Sequence, residues 1–288
     1  MEGHDSNNIS NLNPNQSNDS EKITISSSKE SKPYIKPPPI QNLNNLIISC
    51  VKNDEYCSSM IDYLKKMIYF RQVDYLLAYI NILYCFKPKE INEMAKIRKH
   101  LKNKYARDDP GFLIIIIINL FISSISFSFA FNHTSPFFIF NIFFIQTFVM
   151  FFTFGLGIAM VSKVVIDKFF KSNEIGINKE QAIEYVYAFD IHCNGFVPLY
   201  FFCAVLPFIF LPLVNGHNII QVIIGNSLLC IGVLYYCYVT FMGYFSLPFV
   251  RKNKFVTLAV WPIIATFIIA TMLKINIFAA FVYWIYGN

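Results

Sequence analysis

Charged side chains are scarce in this sequence, which excludes an ordinary soluble domain. Asp, Glu, Lys and Arg make up 15% of the 288 residues and hydrophobic residues 55%, whereas soluble domains carry about 25% charged residues. Five apolar runs approach the ~20 residues that a helix needs to cross a hydrocarbon core of ~30 Å. These runs are continuously apolar rather than alternating, which favours helices over a transmembrane barrel. The sequence therefore predicts an all-α, polytopic membrane protein with five transmembrane helices.

The sequence also lacks the patterns of a disulfide framework, a structural zinc site or a common enzyme. Its seven cysteines include no Cys-x-x-Cys pair, so we interpret them as free thiols. There is no P-loop, His-Glu-x-x-His, Gly-x-Ser-x-Gly or dinucleotide-binding fingerprint. We therefore predict that the protein is not an enzyme and has no catalytic residue, metal or cofactor. The polar N-terminus lacks a cleavable signal peptide, so the first span is expected to direct membrane insertion.

The first 110 residues divide into two regions of different composition. Residues 1–45 are rich in Asn, Ser, Lys and Pro, and they cannot bury enough apolar surface to fold, so we predict a disordered tail. Residues 46–110 are more apolar, and between 63 and 105 the apolar residues recur at three- and four-residue spacing. This spacing predicts cytosolic amphipathic helices at the membrane surface. A small helical domain packed on itself would show the same spacing.

A cluster of basic residues precedes the first predicted span. Its members are Lys96, Arg98, Lys99, His100, Lys102 and Lys104. Basic clusters beside a spanning helix usually contact anionic lipid headgroups, which is the interpretation we favour. Nucleic-acid binding is the less supported alternative, since no stacking aromatic residues or known RNA-binding module accompany the cluster.

The membrane domain is predicted to cover residues 111–288. Its five spans are 111–131, 137–162, 189–214, 219–249 and 255–273, and a further apolar segment at 275–286 is too short for a sixth. The segments on one side of this arrangement hold 23 of the 24 Lys and Arg residues. By the positive-inside rule these segments are cytosolic, so we predict a cytosolic N-terminus and a lumenal or external C-terminus. The last dozen residues are expected to lie in the outer leaflet.

The third predicted span combines prolines with polar side chains. Three prolines predict a kinked helix, and its first turns carry Asp190, His192 and Asn194. Ionisable residues inside a membrane often mark function, so a metal site, a proton relay or a transport path is one interpretation. The alternative is that Asp190 caps a helix or pairs near the interface, while His192 and Asn194 form hydrogen bonds between helices.

The fourth predicted span carries small and polar residues suited to helix contacts. Gly225 and Gly232 lie seven residues apart on one helical face and are predicted to allow close packing. Asn226 is predicted to form an interhelical hydrogen bond. Tyrosines near the end of this span are predicted to form an aromatic belt at the membrane interface. They are Tyr235, Tyr236, Tyr238 and Tyr244.

Five short motifs occur together in a fixed order along the chain. They are Phe70-Arg-Gln-Val-Asp74, Ala106-Arg-Asp-Asp-Pro110, Tyr187-Ala-Phe-Asp-Ile-His192 with Asn194, Gly225-Asn226, and a tyrosine-rich stretch at 235–244 that continues through Leu247-Pro-Phe249. Each motif alone is weak, but five in register are specific. Over about three quarters of its length, from about Tyr63 onwards, the chain resembles the uncoordinated-fifty family of Golgi membrane proteins.

The resemblance implies a role in traffic rather than chemistry. It implies a five-span Golgi protein that acts in vesicle-mediated protein transport, with links to Arf guanine-nucleotide exchange factors and to surface delivery of membrane receptors. RNA binding has also been proposed within the family. Residence in the endoplasmic reticulum or the inner nuclear membrane is an alternative to the Golgi, and a small-molecule or lipid transporter is the alternative function. We predict that six polar residues before the first span contact a protein partner: Arg71, Gln72, Asp74, Arg107, Asp108 and Asp109.

Overall fold

The computed structural model describes residues 73–171, 183–251 and 260–286. The predicted tail and the candidate partner-binding residues Arg71 and Gln72 lie outside these ranges. The described residues form helices joined by short loops. In chain order the helices are α1 (Tyr75–Tyr84), α2 (Pro88–Lys102), α3 (Gly111–Ala130), α4 (Pro136–Phe169), α5 (Tyr185–Ile209), α6 (Leu211–Val214), α7 (Ile219–Phe245), α8 (Val260–Met272) and α9 (Ile277–Tyr286).

Four of these helices are long and apolar enough to cross a membrane. They are α3, α4, α5 and α7, with 20, 34, 25 and 27 residues, and they confirm four of the predicted spans. Helix α4 is longer than expected, because it continues beyond residue 162 to Phe169. Helices α8 and α9 qualify only as a pair, bent by 87° at a short break. Counting this pair as one span gives five, but that fifth span then includes α9, whereas the sequence predicts a fifth span at 255–273 and places 275–286 in the outer leaflet.

The third span is kinked as its prolines predict. Pro198 lies inside α5, where it removes one backbone hydrogen bond, and the helix widens into a π-helical segment at Phe201–Val205. The helix then breaks at Phe210 before the short α6. A second π-helical segment, Ile145–Phe154, lies within α4. Both spans therefore depart from a straight α-helix about midway along their length.

Helices α1 and α2 form a hairpin that packs between the spans. Helix α1 lies against the start of α3 so closely that a Cβ on Gly111 would come within 3.2 Å of Ala78 Cβ. At the turn between α1 and α2, the Phe86 carbonyl accepts a hydrogen bond from Tyr235 Oη at 2.7 Å. The Phe86 ring contacts the Phe201 ring, with 5.4 Å between centroids. The predicted helices are present, but they pack into the bundle rather than only lying on its surface.

The predicted belt of tyrosines at the end of α7 is largely wrong. Tyr244 is 1% exposed, Tyr236 Oη bonds to His192 Nδ1 and Tyr235 Oη bonds to Phe86. Only Tyr238 of the four is exposed, at 48%. These hydroxyl groups face protein because the α1–α2 hairpin and α5 cover this part of α7.

Two ends of the bundle can be distinguished. The basic end is the one where α3 begins and α7 finishes, and the α1–α2 hairpin packs there. At the opposite end, α9 covers the first turns of α7 and the last turns of α3. Its Tyr286 ring stacks on Phe127 and Phe131 with centroid separations of 5.4 and 5.6 Å. The C-terminal segment is therefore packed across this end of the bundle.

Candidate functional site

A buried ion cluster joins the α1–α2 hairpin to the third span at the basic end. Asp190 of α5 lies between two arginines, with Oδ1 3.2 Å from Arg107 Nη1 and Oδ2 3.6 Å from Arg98 Nη2. All three side chains are less than 10% exposed. Asp190 thus pairs with two cations at once, and none of the three charges is well hydrated.

The turn that ends α2 fixes the Arg98 side chain in the interior of the protein. Asn103 adopts a left-handed conformation with φ 57°, which ends the helix and turns the chain back. This turn brings the Tyr105 carbonyl to Arg98 Nε, which donates a hydrogen bond to it at 3.0 Å. Burial lowers the pKa of Arg98 to about 10, and the negative charge of Asp190 opposes this shift. Arg98 remains cationic at neutral pH.

Arg107 lies in the short segment between α2 and α3. Its guanidinium lies 3.8 Å from the centroid of the Phe112 ring, a cation–π contact. Its Nη2 donates a hydrogen bond to Asn194 Oδ1, one turn beyond Asp190 on α5. The face of the Arg107 guanidinium therefore contacts Phe112 at the start of α3, and its edge contacts Asn194 of α5. These two contacts hold the start of α3 against α5.

The two aspartates that follow also have partners within the chain. Asp108 forms ion pairs with Lys104 and with Lys102, the latter at 3.2 Å. Asp109 Oδ2 accepts a hydrogen bond from the Gly111 N–H at 3.1 Å, at the start of α3, where a carboxylate also opposes the helix dipole. The residues Arg107–Asp109 are buried at 3–9% exposure and contact other groups of this chain, and their contact with a protein partner stays a prediction.

Asp74 caps α1 rather than presenting its carboxylate to a partner. Its Oδ1 accepts a hydrogen bond from the Leu77 N–H at 2.9 Å, which satisfies a free donor at the helix start. The other two candidate residues before α1, Arg71 and Gln72, lie outside the described ranges. Sequence reasoning treated Arg98 as one more member of a basic run. One signal was available, since Arg98 is the only arginine among residues 96–104 and arginine is favoured in buried ion pairs.

The ion cluster has a cysteine among its neighbours. Cys85 lies beside it, fully buried, with Sγ 3.2 Å from the Asn81 carbonyl and 4.0 Å from Asn194 Oδ1. Burial raises the pKa of this thiol to about 12, so Cys85 is a neutral thiol at physiological pH. The arginines, the carboxylate and the thiol therefore form buried polar contacts that join the α1–α2 hairpin and the segment before α3 to α5.

His192 faces a different neighbour from Asp190. Its Nδ1 lies 2.9 Å from Tyr236 Oη on α7, and its ring packs directly on Gly155 of α4. A methyl group at Gly155 would overlap this ring. The predicted alternative of hydrogen bonds between helices is confirmed for His192, whereas Asn194 bonds to Arg107 in the segment between α2 and α3. Among the residues described, no group of three His, Cys, Asp or Glu side chains gathers as metal ligands would.

Asn226 ties the α8–α9 pair to α7 at the opposite end. Its Nδ2 donates to Thr271 Oγ1 at 3.1 Å and to the Ile275 carbonyl at 2.9 Å. Its Oδ1 accepts from the Ile277 N–H at 2.9 Å, at the first residue of α9. The predicted interhelical bond is confirmed, and Asn226 satisfies backbone groups on both sides of the 87° bend.

The predicted glycine contacts on α7 are also confirmed. A Cβ at Gly225 would lie 3.1 Å from Asn276 Oδ1, and one at Gly232 would lie 2.6 Å from Cys203 Sγ. Larger side chains at either position would push α5 or the α8–α9 pair away from α7.

Comparison with known proteins places the whole of this architecture in one family. The sequence pattern of the UNC-50 family matches residues 63–286. The chain is 31% identical over 227 residues to the protein named Protein unc-50 homolog of Dictyostelium discoideum, covering 78% of this chain and 87% of that protein. It is 34% identical over 200 residues to the mouse protein of the same name, covering 66% of this chain and 73% of that protein.

The likeness extends to invertebrates. The Drosophila melanogaster Protein unc-50 homolog is 28% identical over 251 residues, covering 85% of this chain and 86% of that protein. No solved structure matches the chain. The matched region contains the helical hairpin, the ion cluster and the spans described above, and on this basis the chain belongs to the UNC-50 family.

Proposed function

We propose that this protein is a non-enzymatic, multi-pass Golgi membrane protein that acts in vesicle-mediated protein transport. The observation that carries the proposal is the family match, which extends over residues 63–286 and covers both the hairpin and the spans. In this proposal the basic end faces the cytosol, as the distribution of Lys and Arg favours. The protein would recruit an Arf guanine-nucleotide exchange factor there and assist delivery of membrane receptors to the cell surface.

The structure supports a rigid recruitment platform at the basic end. The buried ion cluster fixes α1 and α2 to the spans, so their outer faces have defined positions. Helix α1 turns large apolar side chains outwards, with Tyr75, Leu76, Tyr79 and Leu83 between 42% and 57% exposed. Exposed aromatic and aliphatic side chains on an anchored helix are suited to contact with a protein partner.

RNA binding receives less support from the same region. Arg98, Lys102 and Lys104 contact groups of this chain, so only part of the basic run faces outwards. We therefore propose a protein partner and not an RNA for this surface.

The test is binding of the full chain, in lipid nanodiscs, to a purified Arf exchange factor. Deleting 46–110 would remove both arginines from Asp190, so loss of binding could reflect unfolding. The sharper variant is the double substitution Tyr75→Ser and Tyr79→Ser, which changes only exposed side chains of α1. We expect the Kd to weaken by about tenfold, the value for losing ~1.4 kcal/mol of contact.

The matched control is Tyr283→Ser, which changes a 74% exposed tyrosine on α9 at the opposite end of the bundle. Its Kd should equal that of the unmodified chain. Failure of the intact chain to bind, or equal binding by the α1 double variant, would refute the recruitment platform.

A transport path along the third span receives no comparable support. Asp190 pairs with arginines, His192 bonds to Tyr236 and Asn194 bonds to Arg107, so all three side chains are engaged in helix contacts. The direct check is solute flux in liposomes between pH 5 and 8. Flux that Asp190→Asn abolishes, while the chain remains folded, would restore the transporter alternative.

A further inference from the structure

A groove at the basic end runs between α2 and the last turns of α7. Its volume is about 370 Å³, and it lies on the outside of the bundle. The floor is formed by Met242 and Phe245, and polar side chains of α2 line the other wall. The lining residues on α2 are Lys89, Asn92, Glu93 and Lys96.

Asn92, which lies in the α2 wall of this groove, carries an unsatisfied acceptor. Its Nδ2 donates a hydrogen bond to the Met242 carbonyl at 3.0 Å, and this contact fixes which end of the amide faces α7, because a carbonyl accepts only from the NH₂ group. The residue is 8% exposed, and its Oδ1 is buried without a hydrogen-bond partner in the part of the chain that the structure describes. Buried acceptors of this kind usually bind a donor.

The charges around the groove favour an anion that also carries donors. Lys89 and Lys96 line the groove on one face of α2, and Glu93 lies between them, 2.7 Å from Lys96 Nζ. Two ammonium groups against one carboxylate leave a net positive charge. The ligand that complements this wall needs a phosphate for the lysines and hydroxyl groups for Asn92 Oδ1 and the Glu93 carboxylate.

The position of the groove along α7 indicates that such a ligand would come from the membrane. With 27 residues, α7 is ~40 Å long, about 10 Å longer than a hydrocarbon core of ~30 Å. Its last turns, which carry Met242 and Phe245, are followed in the sequence by Arg251, Lys252 and Lys254, and basic residues beside a span usually contact the headgroup layer. A lipid bound there would place its headgroup on α2 and its acyl chains along the apolar outer face of α7.

We propose that this groove binds the headgroup of an inositol phospholipid. The phosphodiester pairs with Lys89 and Lys96, and ring hydroxyls donate to Asn92 Oδ1 and Glu93. The proposal is independent of the proposed function, since it concerns α2 and α7 and not the exposed face of α1.

The test is lipid binding to the purified full chain, measured by native mass spectrometry from detergent. Phosphatidylinositol, phosphatidylserine, phosphatidic acid and phosphatidylcholine are added separately at equal concentration. We expect phosphatidylinositol to bind more tightly than the other three, because it alone combines an anionic phosphate with several ring hydroxyls. Soluble inositol phosphate should compete only weakly, because it lacks the acyl chains.

Two variants separate the contributions of charge and hydroxyl recognition. Lys89→Gln with Lys96→Gln should weaken binding of every anionic lipid, by about fivefold for each lysine. Asn92→Ala should remove the preference for phosphatidylinositol over phosphatidic acid, a change of about fivefold, which corresponds to one hydrogen bond. The control is Lys168→Gln, an exposed lysine at the same end of the bundle on α4, which should leave binding unchanged.

Several outcomes would overturn the proposal. Equal binding of phosphatidylinositol and phosphatidylcholine would show that the groove is no headgroup site. Equal binding of all anionic lipids would reduce it to a nonspecific basic surface, and strong competition by inositol phosphate would make the ligand a soluble anion. Unchanged binding in the lysine double variant, with an unchanged melting temperature, would place the lipid elsewhere on the chain.

Discussion

Arg107 Nη1 lies 3.2 Å from Asp190 Oδ1, and both side chains are less than 10% exposed. This contact joins the segment before the first span to the start of the third span. Because Arg98 approaches the same carboxylate from α2, three separate parts of the chain meet at one buried acid. The stability of the basic end should therefore depend on Asp190 more than on any one of the surface charges.

Replacing Asp190 by Asn should destabilise the protein strongly. The substitution keeps the shape of the side chain but leaves two arginines buried without a countercharge, and losing one partner of a buried ion pair costs ~3–5 kcal/mol. The measurement is the free energy of unfolding in detergent, or the melting temperature where unfolding is irreversible.

Glu93→Gln is the control for this substitution. Glu93 also pairs with a cation, Lys96, at 2.7 Å, but the two side chains are 61% and 55% exposed and the pair lies within one helix. Its loss should cost ~1 kcal/mol or less. Equal destabilisation by the two variants would show that the ion cluster at the basic end stabilises the protein no more than an exposed ion pair does.

Gly155→Ala should destabilise the packing of α4 on α5. A Cβ at this position would overlap the His192 ring, so either the ring must leave Tyr236 or the helices must separate, at a cost of ~1–3 kcal/mol. Gly157 is the control, because nothing lies within 4 Å of a Cβ placed there. Gly157→Ala should be neutral or slightly stabilising, and equal effects of the two alanines on the melting temperature would contradict the contact.

Asn226→Ala should loosen the α8–α9 pair without unfolding the other spans. The variant removes side-chain bonds to Thr271, Ile275 and Ile277 around the bend. Hydrogen exchange of the amides in 275–286 should become faster, while exchange in α3 stays the same. Asn119→Ala serves as the comparison, since within the described ranges the Asn119 side chain bonds only to the Ile115 carbonyl of its own helix. Unchanged exchange in Asn226→Ala would show that α9 is held by apolar contacts alone.

The stability should fall at alkaline pH in a way that depends on Cys85. Burial raises the pKa of this thiol from its ordinary value of 9.0 to about 12. The unfolded chain therefore loses this proton at lower pH than the folded chain, so the stabilisation is complete below pH 9 and declines as pH rises towards 12. The slope from this one group is ~1 kcal/mol per pH unit.

The check compares unfolding of the unmodified chain and Cys85→Ala across that range. Tyr and Lys residues titrate in both proteins, so the difference between the two slopes isolates Cys85. Parallel curves would mean that the thiol ionises equally easily in the folded and unfolded chains.

The spans could be predicted from the sequence because lipid imposes a simple rule on them. An apolar run of sufficient length must be helical, and the prolines of α5 mark its kink. The bend between α8 and α9 was harder to predict, because both halves are apolar. The direction of the chain there depends on Asn226 and Asn276, whose amides bond to backbone groups of distant segments.

The ion cluster was not predictable for a different reason. Asp190 stands out as an unusual acid, but within the run of six basic residues the one indication of which turns inwards is that Arg98 is its single arginine. Arg98 does so because Asn103 ends α2 in a left-handed conformation. Arg107 and its neighbours are predicted from the sequence to contact a partner, and only the packing of α1 and α5 around them makes them buried.

The order of these residues along the chain has a consequence for synthesis. A ribosome delivers Arg98 and Arg107 before the third span has left the exit tunnel, so both arginines must remain hydrated or bound to lipid phosphates until Asp190 is in place. A nascent chain that stops after two spans cannot close this contact. The ion pairs of Arg98 and Arg107 with Asp190 therefore form only in molecules whose third span has been made.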